Sequence, residues 1–224
     1  MYNNIKILDP KTHSFFRYTP ATDFYFAKNL TLIPITISEV KLLCCEYPIV
    51  IIMQEEKPNL MILTGLTESN AIDEKGLWRG NYIPAFLRRY PFTLVEDSSS
   101  KTHHVGFDLE SGLFSSPEGQ ALFNADGTAS SSLEAVKQLL TLFQEENQIT
   151  QNILISMNEK NLLTASEFTI KKEEGEAKKI GGFFNINKKI LFELENDLLL
   201  EVVKNGWMEI IELQQLSLKN SKNI

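Results

Sequence analysis

Four stretches of this chain carry apolar residues in short, nearly continuous or alternating runs. They are Ile49–Met53, Leu60–Leu66, Phe92–Val95 and Thr102–Leu109. Runs of this length, rich in β-branched and aromatic residues and bounded by turn residues, predict strands. Glu55-Glu-Lys-Pro-Asn59 reads as the turn of a hairpin between the first two. Apolar residues recur at helical spacing from Ser131 to about Lys160, where Leu133, Val136, Leu140, Phe143, Ile149, Ile153 and Met157 form the expected buried stripe. Ser131 with Glu134, and Thr36 with Glu39, have the spacing of a capping box. Shorter helices are expected from Thr36 or Ser38 to Cys45, over 82–89, over 188–195 and 197–204, and from Trp207 to about Leu218, with Met208, Ile211 and Gln215 on one face of the last. Tyr47-Pro48 and Tyr90-Pro91 each stop a helix and launch a strand, because proline disfavours helical backbone in the residue before it.

The pattern predicts an α+β fold: a mainly antiparallel central sheet, built from those four strands, with packed helices and an α-rich C-terminal part. One domain over 1–224 is expected, with an aromatic-rich N-terminal segment (1–29), a β-rich part (30–130) and a helix-rich part (131–224). Six aromatics between Phe15 and Phe26 imply that the first segment packs onto the domain surface or serves as a docking arm. Strands at 167–170 and 180–186 flank a charged turn, Lys171–Lys179, whose signs are mixed.

Composition narrows the function. A net charge of −7 opposes a nucleic-acid partner and adhesion to anionic lipid. No apolar run reaches the ~18–20 residues of a spanning helix, and the first ten residues lack a signal-peptide pattern. Cys44 and Cys45 are adjacent, which disfavours a bridge between them, so both read as reduced, buried thiols of a cytoplasmic protein. His13 reads as a hydrogen-bonded packing residue. On a strand His104 and Asp108 share a side, which makes a two-ligand half-site at most; no complete catalytic or metal-binding motif occurs, and no cofactor is expected. The Asn124–Gly127 loop lacks the calcium-loop pattern.

Arginine usage is the local anomaly. The chain has four arginines among its 22 basic residues, and three of them fall between Trp78 and Tyr90. Arginine used locally against a lysine background points to bidentate or stacking contacts. Trp78, Arg79, Tyr82, Arg88, Arg89 and Tyr90 are therefore the candidate ligand- or partner-binding residues. Helical spacing places Arg89 beside Tyr82 and Phe86 and turns Arg88 elsewhere, with an internal ion pair to Glu46 or Asp97 as the structural alternative.

The run Trp78-Arg-x-x-Tyr-Ile-Pro-Ala-Phe-Leu-Arg-Arg-Tyr-Pro-Phe92 resembles the SapC family of bacterial proteins, named from a surface-layer locus. Leu32-Ile-Pro-Ile-Thr36, Glu46-Tyr-Pro-Ile-Val-Ile51, Glu118-Gly-Gln-Ala-Leu-Phe-Asn-Ala-Asp-Gly127 and Gly182-Phe-Phe-Asn-Ile-Asn-Lys-Lys189, followed by Leu199 to Ser217, agree in order. The resemblance implies association with surface-layer biogenesis and supplies no catalytic residue set. Two functions follow as expectations. One is a non-enzymatic cytoplasmic accessory, an adaptor or chaperone-like protein with a protein partner in surface-layer assembly or export. The other is an enzyme or small-ligand binder using the arginine and aromatic residues for an acidic or sugar-like group. Oligomeric state is not legible.

Overall fold

The computed structural model describes residues 1–97, 102–114, 117–170 and 178–224. In chain order the elements are β1 (Ile5–Ile7), α1 (Pro10–His13), β2 (Arg17–Tyr18), β3 (Leu32–Pro34), α2 (Val40–Leu43), β4 (Ile49–Gln54), β5 (Lys57–Leu63) and α3 (Ala85–Arg88). They continue with β6 (Phe92–Glu96), β7 (His103–Asp108), β8 (Gln120–Ala121), α4 (Ser131–Glu159), β9 (Leu163–Ile170), β10 (Lys178–Ile186), α5 (Asn196–Lys204) and α6 (Trp207–Ser217). The fold is α+β with antiparallel sheets, as the pattern predicts.

The expected single sheet is corrected to separate sheets. A five-stranded sheet runs β3-β5-β4-β10-β9, a three-stranded one β1-β7-β6, and β2 with β8 makes a small ribbon. The β4–β5 hairpin has both edges taken, by β3 and by β10, so no edge is left for β6. The β6–β7 hairpin instead pairs with β1 from the N-terminal segment. That segment is thus an integral strand as well as an aromatic cover: Phe16 packs edge-on to Phe107, and Phe26 stacks on Tyr90 at 4.1 Å. His13 packs as expected, its Nδ1 accepting from the Asp9 amide while its ring meets Phe107.

Helix α4 connects the two sheets. Its 29 residues reach roughly 43 Å. Leu133 and Leu140, in its first half, bury with Phe92 and Phe107 of the smaller sheet. Leu154 and Met157, near its end, bury with Ile49, Ile51 and Ile62 of the larger one. Two details differ from expectation. Ser130, one residue early, is the N-cap, accepting from the Leu133 amide. Ile149 is 49% exposed, and Thr150 takes the buried place one residue, or about 100°, round the helix. Thr150 is tolerated there because its hydroxyl accepts from the Ile37 amide and donates to the Glu146 carbonyl.

Polar plugs recur under α6. Ser217 Oγ accepts from the Ile49 amide at 2.9 Å, and Gln214 Nε2 donates to the Ile49 carbonyl at 2.8 Å. Both side chains are fully buried, and with Trp207 and Ile211 they form the inward face in place of Met208 and Gln215. Most of the charged turn expected at 171–179, and the serine-rich close of β6, lie outside the described residues.

Candidate binding site

The Trp78–Pro91 stretch is held by two carboxylates from upstream. Glu46 accepts from the backbone and side-chain nitrogens of Asn81, which anchors this loop. The helix expected over 82–89 shrinks to the single turn α3, entered from Pro84 with extended backbone. Glu39 is buried; it closes the capping box at Thr36 and also accepts from the Ala85 amide at 2.8 Å. Trp78 Nε1 donates to the Tyr82 carbonyl, and its ring lies against Phe24 and Tyr47. At Gly80 any Cβ would collide with Glu46, Tyr47 and Trp78, which explains glycine at this close approach.

Shortening the helix changes what the arginines meet. Arg88, not Arg89, takes Tyr82: its Nη2 donates to the Tyr82 hydroxyl at 2.8 Å, its Nε donates to the Ile83 carbonyl, and its guanidinium lies 5.3 Å from the ring centre. Burial, followed by the nearby Glu39, pushes the Tyr82 hydroxyl up from its ordinary pKa. Arg89 is wedged between Phe86 and Phe143, at 4.6 and 4.7 Å, with Tyr2 at 5.9 Å. Burial lowers its pKa, opposed by the Tyr2 hydroxyl, and its Nε is buried without a hydrogen bond. Among the described residues no carboxylate forms a salt bridge with either arginine, and Glu46 is engaged by Asn81. Arg79 is exposed and lines a small cavity of about 170 Å³ with Glu46, Tyr47 and Asn70. Tyr90 is buried, its hydroxyl donating to Asp108.

Asp108 does not join His104. It is fully buried and accepts from the amides of Asn3, Asn4 and Glu110 as well as from Tyr90, whereas His104 is exposed and bonds Thr102. Burial pushes the Asp108 carboxyl up, but those donors outweigh it and hold the pKa below the usual carboxylate value. Tyr2, alongside, is pushed up to about 12, mainly by burial. A carboxyl depressed on folding contributes stability above its unfolded pKa of about 3.9 and loses it as pH falls through the folded value. Melting temperature is therefore expected to drop with rising steepness below about pH 4. Asp108→Asn should melt lower at pH 7 and show a shallower acid slope; an unchanged slope in thermal melts from pH 7 to 2 would remove Asp108 from this role.

A larger recess than the one at Arg79 lies elsewhere, between β6–β7 and the first half of α4. Phe92 pairs with Phe107, and both pack under Leu133 and Leu140. One step along the same face, Leu94 pairs with Val105, and beyond them Glu96 pairs with His103. Opposite this end, α4 presents Lys137, Thr141, Gln144 and Glu145, and the two surfaces part to leave a cleft of about 600 Å³. Its floor is Leu94, Val105, Phe123 and Leu133, and His103 and His104 stand at its rim. Lys137 is tied to Glu134 at 2.8 Å. Of this lining the sequence offers His104 alone as a candidate ligand, because the other walls come from separate segments.

The molecule is thus an α+β protein of two principal antiparallel sheets bridged by one long helix beside an open, apolar-floored cleft. Residues 8–224 match the family model described as SapC, and the chain belongs to the SapC family. No curated protein and no solved structure matches it. Among the described residues no helix is long and apolar enough to cross a membrane.

Proposed function

We propose that this SapC-family protein is a non-enzymatic cytoplasmic accessory, adaptor or chaperone-like, for surface-layer biogenesis or export, and that it holds a protein partner in the α4 cleft. The observation behind this reading is the cleft: an apolar floor continuous with the core, open to solvent, with a polar rim on which Lys137 is tied to Glu134 and His104 to Thr102. Cys44 and Cys45 support the compartment, since both are free thiols; Cys44 is buried as expected and Cys45 is exposed, contrary to expectation. A small-ligand reading of the arginine stretch keeps support only at Arg79, whose guanidinium is exposed beside a cavity.

The test compares wild type with Thr141→Trp, which fills the cleft from an exposed helix position, and with Arg79→Ala. Affinity capture from the native cell should recover a surface-layer or export component with wild type and Arg79→Ala, and lose it with Thr141→Trp at unchanged melting temperature. Undiminished capture by Thr141→Trp would overturn the cleft assignment.

A further inference from the structure

Among the described residues strand β6 is an edge, and its backbone bonds fix which residues face outward. The Asp108 amide donates to the Pro91 carbonyl, and the Asp97 amide donates to the Thr102 carbonyl, so odd-numbered residues of this strand face β7. Phe92, Leu94 and Glu96 therefore aim their N–H and C=O groups away from the sheet. At Phe92 these are occupied: its amide donates to the Arg89 carbonyl, and its carbonyl accepts from the Tyr2 hydroxyl. Among the described residues nothing pairs with the outward groups of Leu94 or Glu96. The opposite edge of β7 is closed by β1, with the Leu8 amide donating to the Val105 carbonyl.

The two open residues are those whose side chains point to the cleft side, because Leu94 lines the cleft and Glu96 lies two residues further on the same face. A strand laid beside β6 would put the residue opposite Leu94 over the apolar floor and its second neighbour opposite Glu96. The charges there are acidic. Glu96 and Glu145 form no salt bridge among the described residues, while the one lysine of the cleft, Lys137, is offset by Glu134.

We infer that the occupant of the cleft is an extended, basic peptide segment that adds to β6 as an antiparallel strand, with an apolar side chain beside Leu94 and a lysine or arginine two residues away against Glu96. This rests on the reading of the cleft as the partner site and specifies the partner's chemistry. Main-chain bonds to Leu94 and Glu96 provide affinity, and the alternate side chains provide selectivity. Antiparallel addition continues the pairing used throughout the fold.

The probe is a capped heptapeptide, threonine-lysine-threonine-valine-threonine-lysine-threonine, titrated by NMR against the full chain. Its lysines flank the valine on the same face. Binding should slow hydrogen exchange of the Leu94 and Glu96 amides. N-methylation of the valine and lysine nitrogens, which face β6, should abolish binding; N-methylation of the threonines should not. Replacing lysine with glutamate should weaken binding about tenfold or more. Glu96→Pro removes only an outward N–H, which an edge strand tolerates, and should also weaken binding about tenfold, with Glu96→Gln falling less. Equal binding of the two N-methylated peptides, equal binding of lysine and glutamate peptides, or no binding of the lysine peptide at millimolar concentration would each overturn the inference. If the peptide fails while Thr141→Trp still abolishes partner capture, strand addition is wrong and the cleft reading stands. If the peptide binds as described but Thr141→Trp leaves partner capture intact, the peptide site is real and the cleft reading of function falls.

Discussion

Glu39→Ala is expected to destabilise the protein by about 3–5 kcal/mol, a large share of the ~5–15 kcal/mol of a typical fold. The side chain is 3% exposed. Its Oε2 accepts from the Thr36 amide at 2.8 Å and the Thr36 hydroxyl at 3.2 Å, and its Oε1 accepts from the Ala85 amide at 2.8 Å. Alanine strands two backbone donors, each costing about 1–3 kcal/mol when buried and unpaired, and leaves a void between two chain segments. It also releases the entry to α3 from the turn that opens α2, so the Trp78–Pro91 stretch loses its register against the larger sheet. Glu39→Gln retains one acceptor oxygen and should cost about 1–2 kcal/mol. Urea unfolding measures both. A loss below about 1 kcal/mol for alanine would mean that water replaces the carboxylate and the clamp is dispensable.

Half of that clamp was legible. Thr36 and Glu39 stand at capping-box spacing, and the box forms; nothing in the local pattern shows that the second oxygen reaches Ala85, 46 residues on. The same division holds elsewhere. Strands at 49–53, 92–95 and 103–109 and the long helix follow from periodicity, because alternation and helical spacing are local properties. Which hairpin joins which sheet depends on β1 and β10, whose sequences do not say where they pair. Thr150, Gln214 and Ser217 read as surface residues by type, yet they are buried because each satisfies a backbone group of a distant segment. The cleft was invisible for a related reason: Leu94, Val105, Thr141 and Gln144 converge only after the smaller sheet separates from β4 and β5. The arginine cluster is legible in the sequence as a local anomaly of composition, but the orientation of its members hangs on a helix over 82–89. With only one turn from Ala85, Arg88 reaches back to Tyr82 and Arg89 turns inward.

Arg89→Lys should therefore lower stability by about 2–3 kcal/mol, and Arg88→Lys by no more than about 0.5 kcal/mol. The Arg89 guanidinium lies 4.6 Å from the Phe86 ring centre and 4.7 Å from that of Phe143, a geometry suited to a planar cation. An ammonium cannot stack on both rings and is more strongly hydrated, so its burial costs more. For a chain of this size each kcal/mol corresponds to about 2–4 °C, so the Arg89 variant should melt roughly 5–10 °C lower. Arg88 is exposed, and its lysine variant loses one hydrogen bond and a solvent-facing stack. A double-mutant cycle of Arg89→Lys with Phe143→Leu should show about 1 kcal/mol of coupling, which separates the ring contact from a general disturbance of α3. Partner capture by the Arg89 variant should fall only as far as its folded fraction falls. If instead Arg89→Lys melts like wild type but loses capture, the guanidinium grips a partner and its place in the aromatic wedge is incidental.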